Sequence, residues 1–297
     1  MHDYIVTLRD TSSCPNRHCF IPEPHQDTPT YLQVPSNKKI PKPLHAVDVA
    51  SWIDAIASQT KACPNKPSEL IFFVHGYNNA PEVNLVRHRL FKQHLESFDF
   101  NGTIISFDWP SDSSFSNYDE DVADGLCVIE HLWKSALNLF ENDTRFNLHL
   151  LAHSVGCYLS IESINTKSAK SHLLNKIFFI GADAHQNALQ KSSFNHYGQN
   201  IINYYMPYDM SLFFSYLMQY YLLHKRAGQS KLLGKNIQNI NTSNAFKKLP
   251  WPKNPFKYLS HTHSWYFESK FLVGDIVNVI ENRDFIDRKV VNGEVCI

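Results

Sequence analysis

The stretch "LLAHSVGCYLS" (150–160) places a short polar island, His153 and Ser154, inside an otherwise apolar run. A serine hydroxyl is a poor nucleophile at neutral pH and needs both a base and an exposed position. A tight turn between a strand and a helix supplies the position. The residues two before and two after the serine must then be small, because backbones crowd there, and Ala152 and Gly156 are small. The helix that follows leaves the Val155 N–H free to face a developing oxyanion. The pattern is G-x-S-x-G with Ala in place of the first Gly. A serine at a strand–helix junction is also a common N-cap, and this stretch alone fits either role.

A second motif, "FFVHGYNNA" (72–80), puts His75-Gly76 directly after an apolar run. Gly76 lets the backbone turn without a Cβ clash. In an architecture of this kind the loop after that strand provides the second oxyanion donor, here the Tyr77 N–H. Asn78 and Asn79 also fit a plain turn before the next helix, and the two roles are compatible. His75 and His153 each adjoin a candidate donor. Their expected role is support, filling space beneath the site and hydrogen-bonding loop backbone. Trp109, in "DWP" (108–110), reads either as a pocket wall or as a buried structural residue.

The surrounding elements alternate. Strands are expected at 4–9, 31–34, 69–74, 103–107, 147–152, 176–182 and 200–206. Helices are expected at 46–59, 81–97, 121–140, 154–166 and 271–283. "ELIFFV" (69–74) is apolar throughout, as in a strand buried on both faces. The alternation implies an α/β fold, a mostly parallel sheet with helices on both faces. Catalytic groups in such sheets gather at the carboxyl ends of the strands. Residues 1–297 are expected to form one domain, with N-terminal strands and a helix over 1–63 and a lid-like insertion over 210–258 before the last helix.

Bulk composition narrows the function. Lys+Arg and Asp+Glu are each 28 in 297 residues, so no basic excess points to nucleic acid. The longest apolar stretch, "LFFSYLMQYYLL" (212–223), is too short to span a bilayer. The first residues lack a basic region followed by an apolar one, so the expected location is cytoplasmic. The six cysteines, Cys14, Cys19, Cys63, Cys127, Cys157 and Cys296, are then expected as free thiols. "CPNRHC" (14–19) reads as a surface loop rather than a zinc site, since no second ligand pair accompanies it.

The ordered set "FFVHGYNN", "ISFDWPS" (105–111), "YDEDVADG" (118–125), "LLAHSVG", "FFIGADA" (178–184) and "HSWYF" (263–267) resembles the α/β-hydrolase superfamily. More narrowly, it resembles a bacterial branch of serine hydrolases of poorly known substrate. The resemblance covers about residues 68–275, judged by motif order. It implies a Ser–acid–His order, with the acid after a late strand and the histidine near the C-terminus. Asp209 follows the last expected strand and is the favoured acid, with Asp183 of "IGADA" the alternative. His263 precedes a serine and an aromatic pair, as in family-like sequences, and is the favoured base over His261.

The resemblance thus implies a carboxylic-ester hydrolase acting through an acyl-enzyme, without metal or organic cofactor. A thioesterase or acyltransferase would use the same residues, and a non-catalytic binding module could keep the fold. The expected partner is a small ester. Residues 204–223 are rich in aromatic and aliphatic side chains, and residues 224–258 hold eight Lys/Arg and no Asp/Glu. Together they could accept a lipid-like ester or dock at a membrane surface. A buried helix followed by a solvated loop is the plainer reading.

Overall fold

The computed structural model describes residues 1–14, 18–24, 28–60, 66–111, 118–166, 168–190, 201–218, 225–234, 237–252, 254, 257–284 and 288–297. The described strands are β1 (His2–Thr7), β2 (Thr30–Pro35), β3 (Ala46–Val47), β4 (Ser68–Val74), β5 (Gly102–Asp108), β6 (Phe146–His153), β7 (Leu174–Ile180), β8 (Ile201–Tyr205), β9 (Ile237–Asn241), β10 (Lys289–Val291) and β11 (Glu294–Cys296). The helices are α1 (Val49–Gln59), α2 (Pro81–Glu96), α3 (Tyr118–Val128), α4 (His131–Lys134), α5 (Val155–Ile164), α6 (Met210–Met218), α7 (Ser243–Lys247), α8 (Tyr258–Ser264) and α9 (Lys270–Glu281).

β4 explains the layering. Side chains alternate across a strand, and all seven residues of β4 are buried. Leu70, Phe72 and Val74 enter one core with Trp52 and Ile56 of α1 and Leu159 and Ile161 of α5. Ile71 and Phe73 enter the opposite core with Phe91 and Leu95 of α2 and Leu272, Val273, Ile276 and Val277 of α9. Helices therefore cover both faces. Each fully buried Leu, Ile or Phe contributes about 1.5–3 kcal/mol relative to exposure.

One sheet runs β10-β11-β9-β8-β7-β6-β4-β5-β1-β2-β3. The pairings from β1 through β5, β4, β6, β7, β8 and β9 are all parallel. Antiparallel pairs occur only toward the edges, β1 with β2, β2 with β3, and β10 with β11. The register sets Phe72 beside Ile105 and Leu150, so the carboxyl ends of β4, β5 and β6 lie together.

Several expectations needed revision. The helix expected over 121–140 is broken into α3, α4 and a single 3-10 turn at Leu137–Phe140. Of the apolar stripe expected along it, Ile129, Trp133 and Phe140 are buried, Val122 is half-buried and Leu126 is 40% exposed. From Ile129 onward the spacing reported the buried face, which short turns preserve as well as one long helix. The segment expected as a lid-like insertion contributes β9 to the sheet, parallel to β8. "IQNIN" is too short and too rich in Asn to announce a strand. β10 and β11 follow the last helix and were likewise not expected.

The free-thiol expectation is wrong for two residues: Cys14 and Cys19 form a disulfide. Their separation of five residues closes a small loop, which the absence of a larger cysteine framework did not exclude. Cys127, Cys157 and Cys296 are free, and Cys63 lies outside the described residues, as does 219–223 of the apolar stretch. Among the described residues no helix is long and apolar enough to cross a membrane.

Candidate active site

β6 ends at His153 and α5 begins at Val155, leaving Ser154 as the whole connection. Its backbone is forced to φ 56°, ψ −126°, a conformation that a residue with a Cβ adopts only when held. Three hydrogen bonds hold it. Ser154 N donates to Ile180 O at 3.1 Å, and Ser154 O accepts from Cys157 N at 3.0 Å and Asp183 N at 3.1 Å. Gly156 is required by packing: an added Cβ would sit 2.3 Å from His75 O and 2.5 Å from Val74 O. Cys157 Sγ donates to Ala152 O at 3.1 Å, and burial raises its thiol well above the ordinary range, so it packs as a small apolar group.

His263, near the end of α8, places Nε2 2.7 Å from Ser154 Oγ across 109 residues of chain. Its Nδ1 lies 2.7 Å from Asp209 Oδ2. Asp209 follows β8 and precedes α6. Its Oδ1 accepts from Leu212 N at 3.1 Å, so one carboxylate oxygen caps α6 while the other faces the imidazole. Met210 N donates to Thr262 Oγ1 at 3.2 Å, joining the start of α6 to α8. Asp209 is fully buried, whereas the His263 side chain retains 15% exposure.

The alternative residues are engaged elsewhere. Asp183 lies beside the serine backbone, but its carboxylate accepts from Tyr118 Oη at 2.9 Å and Ser215 Oγ at 2.9 and 3.0 Å, and pairs with Arg226 Nε at 3.0 Å. Burial, and then Asp183, raise the Tyr118 hydroxyl far above its ordinary value. The His261 ring packs on Phe246, with centroids 5.6 Å apart.

The loop after β4 abuts the serine. A Cβ on Gly76 would fall 2.8 Å from Ser154 Cβ. Tyr77 and Val155 are the backbone donors closest in sequence to these contacts, and Asn78 takes φ 58° to complete the turn. The Tyr77 ring meets Tyr118 edge-on at 5.2 Å. Trp109 is fully buried and stacked on His75, 5.0 Å between centroids and 7° between planes; its Nε1 donates to His75 O at 2.8 Å.

Sequence reasoning missed Arg9, which is buried beneath this loop. Its guanidinium donates to Asp108 Oδ2 at 3.0 Å, Ser111 O at 2.8 Å and Asn79 O at 2.7 Å. Nothing in "TLRD" separates this arginine from a surface one. Among the described residues no group of three or more His, Cys, Asp or Glu side chains is arranged to hold a metal ion.

A strained serine turn thus follows a central parallel strand, with a histidine from α8 and a carboxylate from the loop after β8 brought beside it, an arrangement that suits a hydrolase of the α/β type. Residues 55–244 match the model of the family described as "Alpha/beta hydrolase of unknown function (DUF900)", and the chain belongs to that family. No curated protein matches it. Among solved structures, an acetylxylan esterase is 10% identical over 73% of this chain and 98% of its own, with a TM-score of 0.42. The catalytic core domain of the Trichoderma reesei acetylxylan esterase is 8% identical over 70% and 98%, with a TM-score of 0.39. A cutinase-like protein from Cryptococcus sp. is 13% identical over 75% and 96%, with a TM-score of 0.35.

Proposed function

We propose that the protein is a serine hydrolase that cleaves a carboxylic ester through an acyl-enzyme, with Ser154 as nucleophile, His263 as base and Asp209 as its orienting acid. The observation that carries this reading is the unbroken line of two 2.7 Å contacts from Ser154 through His263 to Asp209. A carboxylate only accepts, so His263 Nδ1 carries the proton and Nε2 offers a lone pair to the serine hydroxyl. As Ser154 Oγ attacks the ester carbonyl, His263 takes its proton. The Tyr77 and Val155 N–H groups stabilise the tetrahedral oxyanion. The alcohol leaves with the proton from His263, and a water activated by His263 then releases the acid. One oxyanion donor is worth about a hundred- to a thousandfold in turnover.

The composition of the segment after Asp209 suggests an ester with an apolar acyl chain and an anionic head group. Tyr208, next to the acid, is 64% exposed, and Phe213 and Phe214, in the first turns of α6, are each 42% exposed. Between Asp209 and Glu268 the sequence contains no Asp or Glu and eight Lys/Arg. Arg226 is buried against Asp183 and Lys231 pairs with Glu294, and the remaining cations of this acid-free segment would attract anionic lipid head groups. Faster turnover of long-chain esters on anionic than on neutral vesicles supports this extension, and equal turnover removes it.

The decisive experiment is labelling with a serine-directed fluorophosphonate. The expected result is one adduct on Ser154, absent from Ser154→Ala, with ester hydrolysis lost in parallel. A folded wild-type protein that takes no label and cleaves no ester is a binding module.

A further inference from the structure

The Tyr77 N–H shares a peptide group with the Gly76 carbonyl. A trans peptide points its N–H and C=O in opposite directions, so whatever fixes the carbonyl also aims the amide. The Gly76 oxygen is held from two sides. His75 Nδ1 lies 2.8 Å away and Asn79 Nδ2 lies 2.6 Å away. A carbonyl only accepts, so both nitrogens donate to it. Neither holder can swing freely. The His75 ring is stacked on Trp109, and its Nε2 sits 3.1 Å from Asp108 Oδ1. Asn79 is fully buried, and its backbone oxygen accepts from Arg9 Nη2 at 2.7 Å, which pins the main chain that carries the amide.

Asp108 joins the two arms. It lies at the carboxyl end of β5 and takes Arg9 Nε and Thr7 Oγ1 on Oδ2, at 3.0 and 2.8 Å. Asn84 Nδ2 reaches Oδ1 at 3.2 Å. Burial alone would raise this carboxyl, but Arg9 and His75 hold it far below the ordinary range, so it remains an acceptor. A buried charged cluster this complete costs desolvation and contributes little net stability. Its geometry instead converges on one carbonyl beside the nucleophile.

We propose that His75 and Asn79, braced by Asp108 and Arg9, are positioning residues that orient the Gly76–Tyr77 peptide so that the Tyr77 N–H receives the oxyanion. The proposal rests on the hydrolase reading above and adds the device that aims one of its donors. Because the donor is backbone, no substitution at Tyr77 other than proline removes it. The anchors are where the sequence controls it.

The test uses the full chain and a soluble short-chain ester, in His75→Ala, His75→Asn, Asn79→Ala and Asn79→Asp. The phosphonate endpoint counts competent Ser154 sites, and kcat is taken per labelled site, so loss of folded protein does not register as loss of catalysis. Removing an anchor should lower kcat by about ten- to a hundredfold, less than deleting a donor outright, with KM held within about twofold. A boronate that mimics the tetrahedral state should lose affinity in the same proportion. His75→Asn places an amide donor near the position of Nδ1 and should recover most of what His75→Ala loses. Asn79→Asp keeps the shape but opposes an oxygen to the Gly76 carbonyl, so it should be at least as impaired as Asn79→Ala, and it keeps the test open should an alanine variant not fold. Unchanged kcat per site in the folded variants, or losses confined to KM, overturns the proposal. No label on wild-type Ser154 overturns the hydrolase reading, and this proposal with it.

Discussion

His153 Nε2 lies 2.9 Å from the backbone oxygen of His263. The residue immediately before the serine therefore anchors the backbone of the residue that faces the serine. The oxygen only accepts, so Nε2 carries the proton. Burial first, then the charges of His263 and Arg87, hold the His153 imidazole well below its ordinary value, so it is neutral. The two rings lie 4.7 Å apart, close enough for one to limit the tilt of the other.

Replacing His153 should loosen His263 without touching substrate. His153→Leu leaves a buried carbonyl without its donor, a loss of about 1–3 kcal/mol in stability. The kcat per labelled serine should fall about tenfold with little change in KM, as expected when an interaction matters mainly in the transition state. His153→Gln presents an amide near the place of Nε2 and should restore much of the rate. Equal rates for wild type and His153→Leu would show that the anchor is idle.

The two late carboxylates should separate by phenotype. Asp209→Asn keeps the cap on α6 but no longer fixes the tautomer of His263, and turnover should drop by about 10⁴-fold with a modest stability change. Asp183→Asn breaks a buried ion pair with Arg226 and weakens the contacts with Tyr118 and Ser215. Its main effect should be a stability loss of about 3–5 kcal/mol, with kcat per labelled site less affected. Thermal unfolding and single-site kinetics on the two variants distinguish them. A larger rate loss in Asp183→Asn would reverse the assignment of the acid.

Gly156→Ala probes the turn itself. The added methyl meets two backbone oxygens, at 2.3 and 2.5 Å, and backbone at the end of β4 cannot yield as a side chain would. α5 must shift, taking Val155 and Ser154 with it. Stability should fall by about 3 kcal/mol or more, and the phosphonate should react with the soluble fraction much more slowly. A variant with wild-type melting and labelling would mean that the turn has room the packing denies.

The central strands and the serine turn were readable because local pattern decides them. "ELIFFV" has the length and continuous apolarity of a strand covered on both faces, and Ala152 and Gly156 carry the crowding requirement within five residues. The placement of Asp209 and His263 came from motif order, not from any local physical signal. The break in 121–140 was hidden because buried apolar residues from Ile129 to Phe140 keep a helix-like spacing through the turns. β9 was hidden because polar Asn residues pair inside the sheet as well as apolar ones do: Asn203 Nδ2 donates to Asn239 Oδ1 at 2.9 Å. The Arg9–Asp108 contact joins residues 99 positions apart and leaves no trace in either neighbourhood.

Acid sensitivity should begin well above the carboxylate range, because of a buried histidine on α2. His88 is fully buried on α2, with Nδ1 2.8 Å from Ser106 Oγ. It faces Asp3, with Lys92 and Arg89 nearby, and burial outweighs Asp3 to push its pKa down to about 4. In the unfolded chain the same group titrates near 6.5. Below that pH the unfolded state binds a proton that the folded state refuses, so stability falls as the solution is acidified from about 6.5 towards 4. At pH 5 the loss from this one group is about 2 kcal/mol. Asp3, whose carboxyl is held below its ordinary value by His88, Lys92 and Arg89 against the opposing effect of burial, adds a further loss at still lower pH. His153, also held neutral by burial, acts in the same direction as His88. His88→Asn keeps a donor near Ser106 and cannot titrate. Urea unfolding at pH 7, 6 and 5 should therefore give a shallower decline for the variant, by about 2 kcal/mol at pH 5 relative to its own value at pH 7. Parallel declines in the two proteins would place the acid sensitivity elsewhere.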